Sequence, residues 1–175
     1  MPFSLIPDQI FERYSNITPA MLTKRGIKLL LCDLDYTLAP RSVAVPDDAL
    51  RRWLDDLHAA GITVMILSNN RSGERVNTFC KNLGIPYVGH AGKPGRRGYR
   101  EAMQKAGVTA TQTAMLGDKL LTDVLGAKRS NVLALMVEPL GGPVGAWNHV
   151  LHLLQRPFKF ISKKRSKWVD KSSDL

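Results

Sequence analysis

Cysteine, acidic residues and long apolar runs are all scarce in this 175-residue sequence. The two cysteines, Cys32 and Cys80, form no CxxC pair, which excludes a multi-disulfide scaffold and a cysteine-rich zinc site. They predict packing residues in a reducing compartment. No apolar run approaches the roughly 20 residues of a membrane-spanning helix, and the first residues lack the features of a secretory signal. We therefore expect a cytoplasmic protein with one substantial core.

The scarcity of acidic residues leaves the chain strongly basic. Twenty-five Lys and Arg stand against fifteen Asp and Glu, which gives a formal net charge of +10. Much of this charge falls in residues 156–171, where Phe158, Phe160, Ile161 and Trp168 are interleaved with lysine and arginine. Such a pattern predicts peripheral contact with an anionic membrane, on its inner face. Nucleic acid is the less favoured partner, and a purely solubilising tail is the third interpretation.

Five short apolar runs alternate with amphipathic segments, as in a parallel α/β fold. The predicted helices, at 48–60, 72–83 and 94–106, are each followed by a glycine. We predict a Rossmann-like three-layer αβα fold with a parallel sheet of about five strands. The connections leave no room for a cap domain. The predicted strands are 27–32, 62–67, 85–88, 113–116 and 132–137.

The predicted domain organisation has three parts. A core at residues 24–140 lies between an N-terminal segment, 1–23, and a C-terminal region, 141–175, with a hinge, a short helix and the basic aromatic tail. The apolar residues of the N-terminal segment predict a second amphipathic contact with the membrane. These residues are Phe3, Leu5, Ile6, Ile10 and Phe11.

Two carboxylates, Asp33 and Asp35, follow the first predicted strand, at the edge where open α/β sheets bind ligands. A carboxylate can attack a phosphoryl group and form an aspartyl-phosphate. Asp33 is the candidate nucleophile. Asp35 is the candidate general acid for the leaving oxygen, and later the base for water. Halide leaves without a proton, so the second carboxylate favours phosphate as the substrate.

Polar residues also follow three later strands. Ser68 and Asn69 come after the second run, Lys93 after the third, and Asp118 and Asp123 after the fourth. Each one alone is explained as a turn, a helix cap or a surface charge. Together and in this order they favour phosphoryl transfer, with the Ser68 hydroxyl, the Asn69 amide and the Lys93 ammonium binding phosphoryl oxygens.

The order DxDxT, serine, lysine and GDxxxxD resembles the four motifs of the haloacid dehalogenase superfamily of phosphohydrolases. The spacing, with DLDYTL at residues 33–38, is similar to its capless YqeG family, which is related to mitochondrial phosphatidylglycerophosphatases. Mg²⁺ suits carboxylate ligands beside phosphate, and we expect it on the side chains of Asp33 and Asp118. The resemblance adds the main-chain carbonyl of Asp35. Asp123 is expected to lie next to the metal ligands without binding the metal itself, where it orients a metal-bound water or Lys93.

The resemblance also implies a substrate. We expect dephosphorylation of phosphatidylglycerophosphate to phosphatidylglycerol, since a capless site accepts bulky substrates. The alternatives are a phosphatase of nucleotides, nucleic acid ends or a phosphoprotein, and a basic RNA- or ribosome-binding protein with a secondary phosphatase site.

Overall fold

A six-stranded parallel sheet forms the centre of the protein in the computed structural model, which describes residues 5–70 and 73–141. The strands lie in the order β1-β6-β5-β2-β3-β4, and every neighbouring pair is parallel. Their bounds are β1 Gln9–Phe11, β2 Leu29–Cys32, β3 Thr63–Leu67, β4 Tyr87–Val88, β5 Thr113–Gly117 and β6 Leu133–Val137. The predicted α/β class is confirmed, and all five predicted strands are present.

The three helices predicted at 48–60, 72–83 and 94–106 are present close to the predicted positions, and the structure adds two short helices, one before them and one after them. Their bounds are α1 Pro19–Thr23, α2 Asp48–Ala59, α3 Gly73–Leu83, α4 Arg97–Ala106 and α5 Leu125–Arg129. A π-helical turn, Leu120–Val124, leads into α5. Helix α4 begins three residues later than predicted, because residues 92–95 form a turn closed by a hydrogen bond from Gly95 N to the Gly92 carbonyl.

Helices cover both faces of the sheet, so the predicted three-layer architecture is confirmed. Successive side chains of a strand point to opposite faces. In β2, Leu30 and Cys32 pack in one core with residues of α2 and α3, whereas Leu29 and Leu31 pack in the other with residues of α4 and α5. All four side chains are fully buried. Burial on both faces explains why the strand is apolar throughout rather than alternating.

The sixth strand, β1, was not predicted. It pairs with β6 at the edge of the sheet, with Ile10 opposite Met136 and Phe11 opposite Val137. Phe11 is buried in the core, and Ile10 packs against the core on the other face. The expected amphipathic membrane contact is therefore wrong for these two side chains, since they stabilise the sheet instead. Three residues are too few for an apolar period to be recognised.

In the part of the chain that the structure describes, the connections after β2 and β3 add no further folded unit at the strand ends. Within the described ranges, each connection consists of a loop and a single helix, α2 or α3. Across the same ranges, the helices are all too short or too polar to span a bilayer. The basic tail at 156–171 and Phe3 lie outside the described residues, so the membrane contact expected of them stays a prediction.

Candidate active site

The predicted site residues converge at the carboxyl ends of four strands. Asp33 follows β2, Ser68 follows β3, Lys93 lies on the loop after β4, and Asp118 follows β5. Because β5, β2, β3 and β4 are consecutive neighbours in the sheet, these positions lie on one edge. Asp33, Ser68, Lys93 and Asp118, together with Asp123, are all buried despite being polar. Buried polar groups require partners, and the contacts between them define the site.

Lys93 is the centre of this contact network. Its Nζ lies 2.7 Å from Asp33 Oδ1 and 2.7 Å from Asp123 Oδ1. Burial lowers the pKa of Lys93, but the adjacent carboxylates of Asp123 and Asp33 outweigh it and leave the pKa raised above its usual value. The ammonium is therefore charged at neutral pH, and it bridges the first and the last sequence motifs.

Asn69 fixes the main chain of Lys93 through two reciprocal hydrogen bonds. The Lys93 amide donates to Asn69 Oδ1 at 2.7 Å, and Asn69 Nδ2 donates to the Lys93 carbonyl at 2.8 Å. Sequence reasoning used only the main-chain amide of Asn69 and missed this function of the side chain. The two residues are 24 positions apart, so no local pattern signals the pairing.

Three carboxylates meet beside this lysine. Ligand atoms of Asp33, Asp118 and Asp123 all lie within 4.8 Å of one another. Burial, and then the neighbouring charges of Asp123 and Asp33, raise the pKa of Asp118 to about 6, although Lys119 opposes the shift. Burial also raises the pKa of Asp123. Closely spaced, buried carboxylate oxygens are the donor set that a hard divalent cation requires, so the cluster fits such a cation.

The approach of Asp123 depends on Gly117 at the end of β5. A Cβ added at this glycine would lie 2.4 Å from the carboxyl group of Asp123, too close for any other residue. The Asp123 side chain also accepts a hydrogen bond from the Lys119 amide at 3.1 Å. The glycine of the GDxxxxD motif is thus required sterically, so that the carboxylate can lie against the strand end.

Lys119 is a second cation in the site that sequence reasoning did not select. Its Nζ lies 2.8 Å from Asp118 Oδ1 and 3.7 Å from Asp33 Oδ2. Burial lowers the pKa of Lys119, but Asp33 and Asp118 raise it more, so the side chain is cationic. Lys119 could have been selected as a site residue from the sequence, because it directly follows Asp118.

Asp35 lines the same site and, among the described residues, has two arginine partners. Arg75 Nε donates to its Oδ1 at 2.8 Å, and Arg41 Nε lies 3.7 Å from its Oδ2. Neither arginine was selected from the sequence.

The loop that carries Asp35 turns at Tyr36, whose φ of 67° is in the left-handed region. Thr37 then returns to the cluster, where its hydroxyl donates to Asp118 Oδ1 at 3.3 Å.

A pocket of about 500 Å³ opens above these groups. Five of the seven predicted site residues line it; Asp118 and Asp123 do not, although Asp118 is paired with the lining residue Lys119 at 2.8 Å. The lining residues are Asp33, Asp35, Tyr36, Arg41, Ser68, Asn69, Asn70, Lys93, Lys119 and Thr122. Carboxylates, a hydroxyl and two ammonium groups therefore face one small volume, as hydrolysis of an anionic ester requires.

Fold and site together define a hydrolase built on a parallel sheet, with its acidic and cationic groups at the strand ends. Residues 18–131 match the family model described as haloacid dehalogenase-like hydrolase. The chain belongs to this family and is a phosphatase-type enzyme, as the sequence motifs predict.

Two curated proteins show where it falls within the family. The chain is 33% identical to "Probable phosphatase YqeG" of Bacillus subtilis (strain 168) over 140 residues, 80% of this chain and 81% of that protein. It is 31% identical to the chloroplastic phosphatidylglycerophosphate phosphatase 1 of Chlamydomonas reinhardtii over 135 residues. That match covers 71% of this chain but only half of the algal protein. The predicted likeness to YqeG is confirmed.

A solved structure shares the fold. It is the cobalt-bound form of the deoxy-D-mannose-octulosonate 8-phosphate phosphatase YrbI from Haemophilus influenzae, with a TM-score of 0.53 and 20% sequence identity. The alignment covers 83% of this chain and 95% of that one.

Proposed function

We propose that this protein is a Mg²⁺-dependent phosphomonoesterase that works through an aspartyl-phosphate on Asp33, with phosphatidylglycerophosphate as its substrate. The observation that carries the proposal is the contact of Asp33 with the buried Lys93, at 2.7 Å, beside the carboxylate of Asp118 and on the wall of the pocket. This arrangement joins a nucleophile to the positive charge that an anionic substrate requires.

In the first step, a carboxylate oxygen of Asp33 forms a bond to phosphorus while the ester P–O bond breaks. The electron pair passes to the leaving oxygen, which takes a proton from Asp35. In the second step, Asp35 accepts a proton from water as the water oxygen bonds to phosphorus. The bond between phosphorus and Asp33 then breaks, which restores the carboxylate and releases phosphate.

The remaining polar groups stabilise negative charge on the phosphoryl oxygens. Lys93 is already oriented by Asp33 and Asp123 at 2.7 Å each, so little reorganisation is needed as charge develops. The Ser68 hydroxyl and the Asn69 amide lie on the same pocket wall and are the proposed hydrogen-bond donors. The contact between Asp123 and Lys93 supports the proposal that Asp123 orients this lysine.

Mg²⁺ would be held by the carboxylates of Asp33 and Asp118 and by the main-chain carbonyl of Asp35. When bound, it supplies charge neutralisation between the nucleophile and the phosphoryl group. Protonation of Asp118, whose pKa is raised to about 6, removes one of these ligands, so we expect cation affinity to fall as the pH is lowered through 6.

The lipid substrate is supported by the likeness to an algal phosphatidylglycerophosphate phosphatase and by the single-helix connections beside the site. We further propose that residues 156–171 bring the enzyme to anionic membranes, an argument that rests on their sequence alone. Deleting residues 157–175 should lower activity on vesicle-borne substrate and spare a small soluble phosphomonoester. Equal activity of both proteins on vesicles would contradict a membrane role for the tail.

The decisive substrate experiment measures phosphate release, with Mg²⁺, from phosphatidylglycerophosphate in mixed vesicles, a mononucleotide, a 5′-phosphorylated oligonucleotide and a phosphopeptide. We expect the highest kcat/KM for the lipid and no turnover by Asp33→Asn on any substrate. A higher kcat/KM for the nucleotide, oligonucleotide or peptide would replace the lipid assignment but keep the phosphatase. RNA binding that survives Asp33→Asn, without turnover of any of the four by the wild type, would favour the RNA-binding alternative.

A further inference from the structure

We infer that Arg75 is a positioning residue for the general acid: it holds one oxygen of Asp35 and thereby directs the proton to the other. This inference rests on the proposed role of Asp35. Arg75 lies in the first turn of α3, 40 positions along the chain from Asp35, and only 18% of its side chain is exposed.

All three guanidinium nitrogens of Arg75 have acceptors on one loop. Nε donates to Asp35 Oδ1 at 2.8 Å, Nη1 to the Val43 carbonyl at 2.7 Å, and Nη2 to the Pro40 carbonyl at 3.1 Å. Because the guanidinium is planar and rigid, three bonds fix its plane as well as its position. The orientation of the Asp35 carboxylate is fixed with it.

The acceptors belong to the same loop that carries the acid. The Leu38 amide donates to the Leu34 carbonyl at 3.1 Å, and the Val43 amide donates to the Pro40 carbonyl at 2.9 Å, so residues 34–43 are folded into consecutive turns. Arg75 joins this folded loop to α3. Without it, the hydrogen bonds of the loop alone would have to hold Asp35 beside the pocket.

The donor-only chemistry of arginine determines which carboxyl oxygen carries the proton. A guanidinium cannot accept a hydrogen bond, so a proton on Oδ1 of Asp35 would face a donor. The protonated form therefore carries its proton on Oδ2. Arg41 Nε lies 3.7 Å from Oδ2, which is too far for a hydrogen bond, so it does not oppose a proton on this oxygen as Arg75 does on Oδ1. Asp35 and Arg41 both line the pocket. The proton is thus directed toward the pocket.

This function predicts a dependence on the leaving group that a purely structural arginine would not produce. An alkoxide requires a proton to leave, whereas p-nitrophenolate leaves readily without one. With saturating Mg²⁺, we expect Arg75→Met to lower kcat/KM for an alkyl phosphate such as glycerol 3-phosphate by about 10²-fold, within the range for loss of general acid catalysis. This parameter reports the step in which the leaving group departs, whereas kcat also includes hydrolysis of the aspartyl-phosphate, in which Asp35 acts as the base for either substrate. The loss for p-nitrophenyl phosphate should be only a few-fold.

A matched control is Arg51 on α2, which donates to the Asn82 carbonyl at 2.8 Å and so joins two helices away from Asp35. Arg51→Met should change kcat/KM for both substrates in the same proportion. Arg75→Lys retains the charge but not the three-way hydrogen bonding, and it should reproduce the selective loss if Arg75→Met does not fold. Thermal unfolding of each variant reports on folding.

A double-mutant cycle completes the test. In the Asp35→Asn background, Arg75→Lys should cause no further selective loss on the alkyl phosphate, because the acid is already absent. Equal losses on both substrates for Arg75→Met and Arg75→Lys, or a selective loss that persists without Asp35, would overturn the inference and leave the proposed function standing. If Asp35→Asn itself lowers kcat/KM equally on both substrates, Asp35 is not the acid, and that part of the proposed function fails first.

Discussion

Replacing Asp118 with asparagine should stabilise the metal-free protein at neutral pH, although it removes a predicted metal ligand. The Asp118 side chain is 7% exposed and lies within 4.8 Å of two further carboxylates. Burial and these charges raise its pKa from 3.8 to about 6. Asparagine retains the size of the side chain and an oxygen that can accept the hydrogen bond from Thr37.

The magnitude follows from proton linkage. The folded carboxyl binds its proton more tightly than the unfolded one, so the folded state holds the extra proton between about pH 4 and pH 6. The free energy of unfolding therefore falls as the pH rises through this window. A rise from 3.8 to about 6 corresponds to at most about 3 kcal/mol at pH 7 and above. This shift already includes the opposing attraction of Lys119. Because an amide does not reproduce every contact of a protonated carboxyl, we expect a net gain of about 1–2 kcal/mol.

Urea unfolding and thermal unfolding, both in EDTA at pH 7.5 and pH 4, measure this gain. We expect Asp118→Asn to be more stable at pH 7.5, with a Tm higher by about 2–8 °C, and to match the wild type near pH 4. Asp55→Asn, at an exposed position of α2, controls for the change in net charge. Mg²⁺ should then stabilise the wild type and not the variant. A less stable Asp118→Asn protein at pH 7.5, or a difference that does not vary with pH, would refute the reasoning.

Three further predictions concern activity. Asp35→Asn should reduce kcat on an alkyl phosphate by roughly 10²–10⁴ and leave Mg²⁺ binding, measured by calorimetry, nearly unchanged, since the proposed ligand of this residue is its main-chain carbonyl. Lys93→Ala should lower kcat without changing the Mg²⁺ concentration that gives half-maximal activity, whereas Asp118→Ala should raise that concentration strongly. If the concentration is unchanged in both variants, Asp118 is not a metal ligand. Asn69→Leu loses both hydrogen bonds to the Lys93 main chain. Together these bonds are worth about 1–2 kcal/mol, so kcat should fall by about tenfold. A wild-type kcat in this variant would show that the pairing has no catalytic role.

The sequence was sufficient for the fold and for the strand-end residues because both depend on local patterns. Leu29–Cys32 is apolar at every position because it is buried on both faces, and the polar motif follows at once. In a parallel sheet, residues that directly follow neighbouring strands meet at one edge. The convergence of Asp33, Ser68 and Asp118 follows from that rule without any contact being known.

Contacts between distant segments could not be predicted in this way. Arg75 reaches Asp35 across 40 positions, and Asn69 reaches Lys93 across 24. Both contacts depend on where a helix or loop lies in three dimensions, and an arginine in a helix is ordinarily a surface residue. Strand β1 was not predicted for a different reason. Its three residues form a strand because they pair with β6, and they carry no sequence pattern of their own.

The most direct test of the central claim is to trap the aspartyl-phosphate. Wild-type enzyme and substrate are mixed with Mg²⁺, quenched in acid during turnover and treated with borohydride, which reduces an acyl phosphate to an alcohol and so converts the modified aspartate to homoserine. We predict homoserine at residue 33, identified by mass spectrometry of the peptide, and its absence without substrate and in Asp33→Asn. Homoserine at Asp118 or Asp35 instead, or no homoserine at residue 33 from an enzyme quenched during active turnover, would contradict the assignment of Asp33 as the nucleophile.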